Sequence, residues 1–261
     1  DPCDLTAVRD DAREQTKMVI VETIANPLLR VVDIGALAEI AHQVNAVLLV
    51  DNTFATPAIC KPLALGADLV MESVSKFING HGDVMLGMLA GKKEHWSRVE
   101  MVNAACGFAS SPLECWLSCR GVSTLTLRMR QASATALAVA ELLNARDDIE
   151  SVEYPGLPHH PDFKLASKQF QSGFGHMVTF ELAGGREAAD QLIASQEIPF
   201  CPSLGDVGTT LSHPVSTSHR GLSAEQRLAL GITDGTIRLS VGVEPTEDVL
   251  ESLKKALPSV S

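Results

Sequence analysis

The chain has 261 residues, 45% of them hydrophobic and 4% aromatic, enough to bury one large domain or two smaller ones. Its 21 basic and 32 acidic residues leave a formal charge of −11, which argues against non-specific binding to nucleic acid or to an anionic membrane surface. No apolar run approaches the roughly 20 residues that span a bilayer, no secretory signal opens the sequence, and the six cysteines show neither a CxxC pair nor zinc spacing. Reduced thiols in a cytoplasmic protein are therefore expected.

Residues 18–24 form an apolar run with the length of a buried strand and end at the turn signal Ala25-Asn26-Pro27. Asp33 reads as the N-cap of a helix whose apolar residues Ile34, Leu37, Ala38, Ile40, Ala41 and Val44 recur at helical spacing. Residues 46–50 are a second strand closing on Asp51-Asn52-Thr53, and 57–65 a short helix stopped by Gly66. Strands at 69–74 and 84–90 follow. Apolar strands alternating with helices imply an α/β fold, a mostly parallel sheet with helices on both faces.

Helices are expected at 94–105 and 112–119, and a long one at about 123–145 leads into a second domain. The division expected is 1–121, a large domain, and 122–261, a smaller α+β domain. In the latter a helix lies near 162–171, a strand at 177–182, a helix at 186–194, a strand at 237–241 and a closing helix at 246–257 capped by Thr246.

The residues with chemical promise stand at strand ends. Asp51 closes one buried strand, and the carboxyl ends of strands are where ligands bind in open α/β sheets. By itself it reads first as a cap of the turn through Asn52 and Thr53. Lys76 follows the next strand within Ser73-Val74-Ser75-Lys76-Phe77-Ile78-Asn79-Gly80. A partly desolvated amine there is well placed to act as a nucleophile. A lysine, a carboxylate and small hydroxyls are what pyridoxal 5'-phosphate requires: an imine partner, a group that keeps the ring nitrogen protonated, and phosphate donors. His159-His160, His213 and His219 read as loop residues, and no metal is expected.

These segments are similar to a known family. Asp51-Asn52-Thr53-Phe54-Ala55-Thr56-Pro57, Leu63-Ala64-Leu65-Gly66-Ala67-Asp68 and the lysine turn through Asp83 resemble the Cys/Met-metabolism (trans-sulfuration) family of fold-type I pyridoxal-phosphate enzymes. So do Asn26-Pro27, Tyr154-Pro155-Gly156-Leu157, Ser203-Leu204-Gly205-Asp206, Ser216-Thr217-Ser218-His219 and 237–244. The resemblance implies that Lys76 is the Schiff-base lysine and proton shuttle. It implies that Asp51 pairs with the pyridine nitrogen and that Ser73 and Ser75 contact the phosphate. Asn26 would lie near the cofactor's phenolic oxygen and the substrate carboxylate, Arg238 would clamp that carboxylate, and Ser203 would lie near it.

It also implies a homo-oligomer, a dimer of dimers with shared active sites, acting on a small amino-acid substrate. The chemistry expected is γ-elimination or γ-replacement on sulfur amino acids or homoserine esters, as in methionine γ-lyase or an O-acylhomoserine sulfhydrylase. Cystathionine γ-synthase or a cystathionine β- or γ-lyase is the alternative, and a non-catalytic scaffold is the rival of another class. Pro202 stands where cystathionine-using members carry a glutamate that reads the distal ammonium, and Val207-Gly208-Thr209 replaces an acidic loop. Both favour an uncharged γ-substituent. The family's upstream segment, with its phosphate cradle and ring-stacking tyrosine, has no counterpart in these residues. They are expected to belong to a longer protein and to turn over weakly or not at all alone.

Overall fold

A computed structural model describes residues 1–257. Its contacts divide the chain into two units, Asp1–Ile24 with Val31–Leu125, and Ala25–Arg30 with Thr126 onward. The boundary thus falls four residues beyond the expected 121, and a short early segment belongs to the second unit. Its membership has a local cause: Pro27 O accepts the Thr179 hydroxyl at 2.6 Å and Asn26 Oδ1 accepts Arg238 Nη1 at 2.8 Å.

The first unit opens with α1 (Leu5–Asp11), capped by the Asp4 carboxylate, and β1 (Met18–Glu22). Helix α2 (Ile34–Gln43) is capped by Asp33, as expected, with Oδ1 accepting the Ala36 N–H at 2.9 Å. Then come β2 (Val47–Asp51), the single turn α3 (Thr56–Ile59) and a 3₁₀ turn, Pro62–Leu65. Gly66 ends that turn at φ 109°, a conformation that favours glycine. Strand β3 (Leu69–Ser73) leads into a π-helical turn, Val74–Ile78, and β4 (Gly87–Gly91), α4 (Trp96–Cys106) and α5 (Pro112–Val122) complete the unit.

The sheet order is β1-β2-β3-β4. The first two pairings are parallel, as expected for an α/β unit, but β4 runs antiparallel to β3. The connection through residues 74–86 is spent on the π turn and holds no crossover helix, so the chain returns antiparallel. Leu48, Val50 and Val70 are buried on one face. The other face presents Val47, Leu49, Leu69 and Met71 to α4 residues Val99 and Val102 across an open cavity of about 910 Å³.

Helix α6 (Leu125–Asn144) carries the chain into the second unit. There follow β5 (Ile149–Glu153), α7 (Phe163–Gln169), β6 (Met177–Leu182), α8 (Gly185–Ala194), β7 (Thr210–Ser212), α9 (Ala224–Ala229), β8 (Thr236–Ser240) and α10 (Thr246–Ala256). The sheet β5-β6-β8-β7 is antiparallel throughout. Val178, Phe180, Ile237 and Leu239 turn to a core shared with Val139 and Leu143 of α6 and Val249 and Leu253 of α10. The alternate residues Thr179, Ser212 and Arg238 take the opposite face, as strand geometry requires.

Thr246 does not cap α10. Pro245 holds the N-cap position without a side-chain bond, and the Thr246 hydroxyl is instead 2.8 Å from the Thr135 hydroxyl of α6. Among the described residues no helix is long and apolar enough to cross a membrane.

Candidate active site

In the first unit the candidate residues gather at the carboxyl ends of β2 and β3. The register pairs Asp51 with Met71, so the strands end side by side. Asp51 is half-buried, and its Oδ1 accepts the Thr53 N–H at 3.0 Å, which makes it a turn cap as well as a strand-end carboxylate. Thr53 Oγ1 in turn accepts the Ser73 N–H at 2.9 Å, tying the Asp51 turn to the end of β3. Ser73 is half-buried, and its odd-numbered place in β3 sets it on the Asp51 side of the sheet.

Lys76 sits inside the π turn, where the helical backbone breaks (φ −89°, ψ −142°), and it is half-buried. Its carbonyl accepts the Gly80 N–H at 2.8 Å. Ser75 is spent locally: its Oγ accepts the Leu86 N–H at 2.8 Å and donates to the Leu86 carbonyl at 3.3 Å. The turn is held from below by α5. Gly121 meets Asn79 so closely that a Cβ there would lie 2.7 Å from the Asn79 carbonyl oxygen. Asn79 also donates to Asp83 Oδ1 at 2.7 Å. The glycine inside a helix therefore has a packing reason.

Behind Asp51, on the opposite sheet face, lies a buried polar cluster that the sequence reading did not single out. The Thr23 hydroxyl donates to Asn52 Oδ1 at 2.7 Å, and Asn52 Nδ2 donates to Glu72 Oε1 at 2.9 Å and to the Cys60 carbonyl at 3.1 Å. Glu72 Oε2 is buried with no hydrogen-bond partner among the described residues. Burial foremost, opposed by the Asn52 bond, and then the charge of Asp51 push the Glu72 carboxyl up to about 7. Burial, with the charge of Glu72, likewise lifts the Cys60 thiol to about 12.

The consequence for stability has a definite sign. Above its ordinary value of 4.5 the unfolded carboxyl ionises while the folded one keeps its proton. Stability therefore falls as pH rises from about 4.5 to about 7, and the loss is complete above that window. Glu72→Gln keeps the Asn52 bond without the charge. It is expected to gain on the order of 3 kcal/mol over the wild type between pH 5 and pH 8, at 1.36 kcal/mol per pKa unit. Urea midpoints of the two proteins across that range measure it, and parallel pH profiles would refute it.

In the second unit Arg238 stands in β8, 2% exposed. Nη1 donates to Asn26 Oδ1 at 2.8 Å, while Nε is buried with no hydrogen-bond partner among the described residues. No carboxylate of the described residues forms an ion pair with it. Burial pushes the guanidinium down to about 10, and the group that favours its charge is Cys201. His176 is wholly buried nearby, and burial, then the Arg238 charge, press its imidazole down to about 3. His219 is lowered by the same two causes. A buried cation with no ion-paired acid among the described residues can receive an anion.

Asn26 lies in a closed turn, with Ala25 N–H bonded to Arg30 O and Leu29 N–H to Ala25 O, both at 2.8 Å, and a cis Asn26-Pro27 peptide. Ser203 is exposed in the loop after β7's neighbour Cys201, and that loop is tied to β8 by Gly205 N–H donating to Ser240 Oγ at 2.8 Å. The described residues bring Asn26 to Arg238 and bring Asp51, Ser73 and the Lys76 turn to one strand edge. One group has metal-ligand spacing, Asp68, Glu94 and His95, but Asp68 is already bonded to Lys92, His42 and the Leu48 N–H.

Residues 1–258 match the family described as "Cys/Met metabolism PLP-dependent enzyme". The O-succinylhomoserine sulfhydrylase of Pseudomonas aeruginosa is 45% identical over 258 residues, covering 98% of this chain and 64% of that protein. The L-methionine gamma-lyase of Fusobacterium nucleatum subsp. polymorphum is 41% identical, covering 100% of this chain and 67% of that protein. Among solved structures, a cystathionine gamma-lyase from Lactobacillus plantarum complexed with L-serine superposes with a TM-score of 0.93 at 36% identity, over 98% of this chain and 67% of that one. A cystathionine gamma synthase from Xanthomonas oryzae pv. oryzae in complex with cystathionine gives 0.92 at 40% identity, over 98% and 66%. The chain thus spans about 63% to 67% of the length of the curated relatives it matches. With that likeness running through both units and through the segments that carry Lys76 and Arg238, the chain belongs to the Cys/Met metabolism PLP-dependent enzyme family.

Proposed function

We propose that the protein carries out pyridoxal-phosphate-dependent γ-elimination or γ-replacement on a sulfur amino acid or homoserine ester. The observation that carries this reading is Arg238: a buried guanidinium with an unpartnered Nε and, among the described residues, no ion-paired acid. Its planar fork suits bidentate binding of an α-carboxylate. Asn26 Oδ1, by accepting Nη1, fixes the plane of that fork.

The donor set in the first unit fits pyridoxal phosphate: a strand-end carboxylate, a primary amine in an irregular turn, and hydroxyls around it. Asp51, Ser73 and Lys76 would hold it, and Ser75 would join them once its hydroxyl turns from the Leu86 carbonyl. When bound, it supplies a sink for the electron pair left on Cα once a proton is removed. Asp51 keeps a proton on the ring nitrogen, which makes that sink effective. Lys76 Nζ takes the proton from Cα and then moves the proton at Cβ, so that the γ-substituent leaves. Water then completes a lyase reaction, or a thiol completes a replacement. Ser203 lies in the loop beside β8 and adds a hydroxyl near the carboxylate.

Pro202 offers neither charge nor donor, and Thr209 binds Glu244 through both its N–H and its hydroxyl, the latter at 2.9 Å. That leaves the loop without a free acid of its own at 207–209 and supports a substrate with an uncharged γ-substituent, such as methionine, homocysteine or an O-acylhomoserine. A panel of methionine, cystathionine and O-acylhomoserine, scored for 2-oxobutyrate and thiol products, is expected to rank cystathionine last. Cystathionine turned over fastest would replace this reading with the cystathionine-enzyme one.

The reading includes a homo-oligomer in the cytoplasm. Phe108, Leu113 and Trp116 are each more than 60% exposed around the α4–α5 loop, and large exposed apolar side chains concentrated in one segment support an interface there. No disulfide joins the six cysteines, which is compatible with a reducing compartment. A monomer by light scattering would remove the oligomer from the reading.

A further inference from the structure

Beyond β7 the sheet of the second unit gains one isolated bridge. Phe200 pairs with Leu211 in parallel, and Cys201 N–H donates to the Leu211 carbonyl at 2.9 Å. One step along, Cys201 comes level with Ser212. Ser212 is paired with Arg238, and Arg238 with Thr179. Residues level with one another across a sheet share a face. Cys201, Ser212, Arg238 and Thr179 thus form one row, turned away from the core that takes Leu211, Leu239 and Phe180.

Two features make the row unusual. Ser212, Arg238 and Thr179 are buried, at 2%, 2% and 1% exposed, while Cys201 at its end is half-buried and reachable. And Arg238 keeps one buried N–H unpartnered, so an anion entering the row meets a donor that nothing else uses. Among the groups around Arg238, the Cys201 sulfur is the one whose ionised form would favour the cation. Thiolate and guanidinium attract one another, and the thiolate is the reactive form of cysteine.

We propose that Cys201 is a covalent modification site for small electrophiles that carry a carboxylate, with Arg238 seating the carboxylate while Sγ attacks the electrophilic carbon. The inference rests on the reading of Arg238 as a carboxylate clamp. With a haloacetate, the thiol proton passes to solvent, the sulfur lone pair forms an S–C bond, and the carbon–halogen bond breaks to release halide. With an α,β-unsaturated acid, sulfur adds to the β-carbon and a solvent proton closes the α-carbon, with no leaving group. Either adduct leaves a tethered carboxylate on the guanidinium, so the modified protein no longer admits a carboxylate substrate.

The test uses the whole protein loaded with pyridoxal phosphate and two reagents that differ only in charge, iodoacetate and iodoacetamide. Peptide mass mapping follows Cys201 separately from the other cysteines, and glutathione in the same buffer gives the reference ratio of the two rates. Local charge complementarity raises rates by about 10-fold or more. The iodoacetate-to-iodoacetamide ratio at Cys201 is therefore expected to exceed that of glutathione by about tenfold. It should shrink in high salt and fall to the glutathione value in Arg238→Gln. L-Norleucine, an unreactive methionine isostere, should protect Cys201.

A Cys201 ratio equal to that of glutathione in the wild type overturns the proposal, and this arm needs no variant to fold. Calorimetric binding of L-norleucine to wild type and Arg238→Gln tests the clamp by itself. Binding that needs Arg238 alongside an unremarkable Cys201 ratio refutes the modification site and leaves the clamp standing. Binding indifferent to Arg238 refutes the clamp and, with it, the proposal.

Discussion

Lys76→Ala is expected to lose turnover by at least about 10³-fold, within the 10²–10⁴ that one positioned proton carrier supplies and with the loss of its covalent role added. The geometry that makes the effect so large is the π turn. The backbone breaks at Lys76 itself, and Gly121 of α5 presses against Asn79 behind it. The variant should also lose the near-visible absorbance that the protein acquires on mixing with pyridoxal phosphate. Lys76→Arg separates charge from nucleophilicity: its guanidinium stays protonated, so it should fail as completely as alanine. A small primary amine added to Lys76→Ala should return part of the rate. An alanine variant that keeps both absorbance and turnover would end the reading of Lys76.

Arg238→Gln is the second large effect, and it should appear in KM more than in kcat. Hydrogen bonds to charged groups are worth about 1.5–3 kcal/mol each, so loss of a two-pronged clamp raises KM for a free amino acid by about 10²-fold or more. Arg238→Lys keeps the charge but not the fork held by Asn26, and is expected to recover only a small part. Fold damage would lower all substrates alike. The discriminating comparison is therefore an amino acid against its amide, which lacks the carboxylate. The wild type should prefer the acid strongly, and Arg238→Gln should prefer neither. An unchanged preference in the variant would show that the carboxylate is bound elsewhere.

The strand-end positions of Asp51 and the Lys76 turn are legible in the sequence because each follows a run of apolar residues, and the end of such a run locates the carboxyl end of a buried strand. Asp33 as a cap is legible for the same local reason. The direction of β4 is not: its apolar residues look the same whichever way they run, and only the lack of a crossover helix in 74–86 decides it. Strand β7 spans three residues and exists through its pairing with β8 and Phe200, which no local pattern announces. Thr246 has the composition of a cap, but the Thr135 hydroxyl on α6 claims it.

The site divides in the same way. The acid that holds a proton near neutrality, Glu72, looks like any strand glutamate until Asn52 and the buried face are known. The pairing of Asn26 with Arg238 joins positions 212 residues apart. Cys201 reads as one more small apolar residue until register sets it in the row with Arg238.

The segment Ala25–Arg30, which interrupts the first unit and belongs to the second, has a practical consequence. A chimera that joins two relatives at the single point between Leu125 and Thr126 would give Arg238 from one parent an Asn26 turn from the other. Arginine and acceptor would come from different lineages, and so would the Thr179–Pro27 bond that seats the turn. Specificity transplanted that way would be blurred at the very contact that orients the guanidinium. A clean exchange takes two pieces, the six-residue turn and everything after it, moved together.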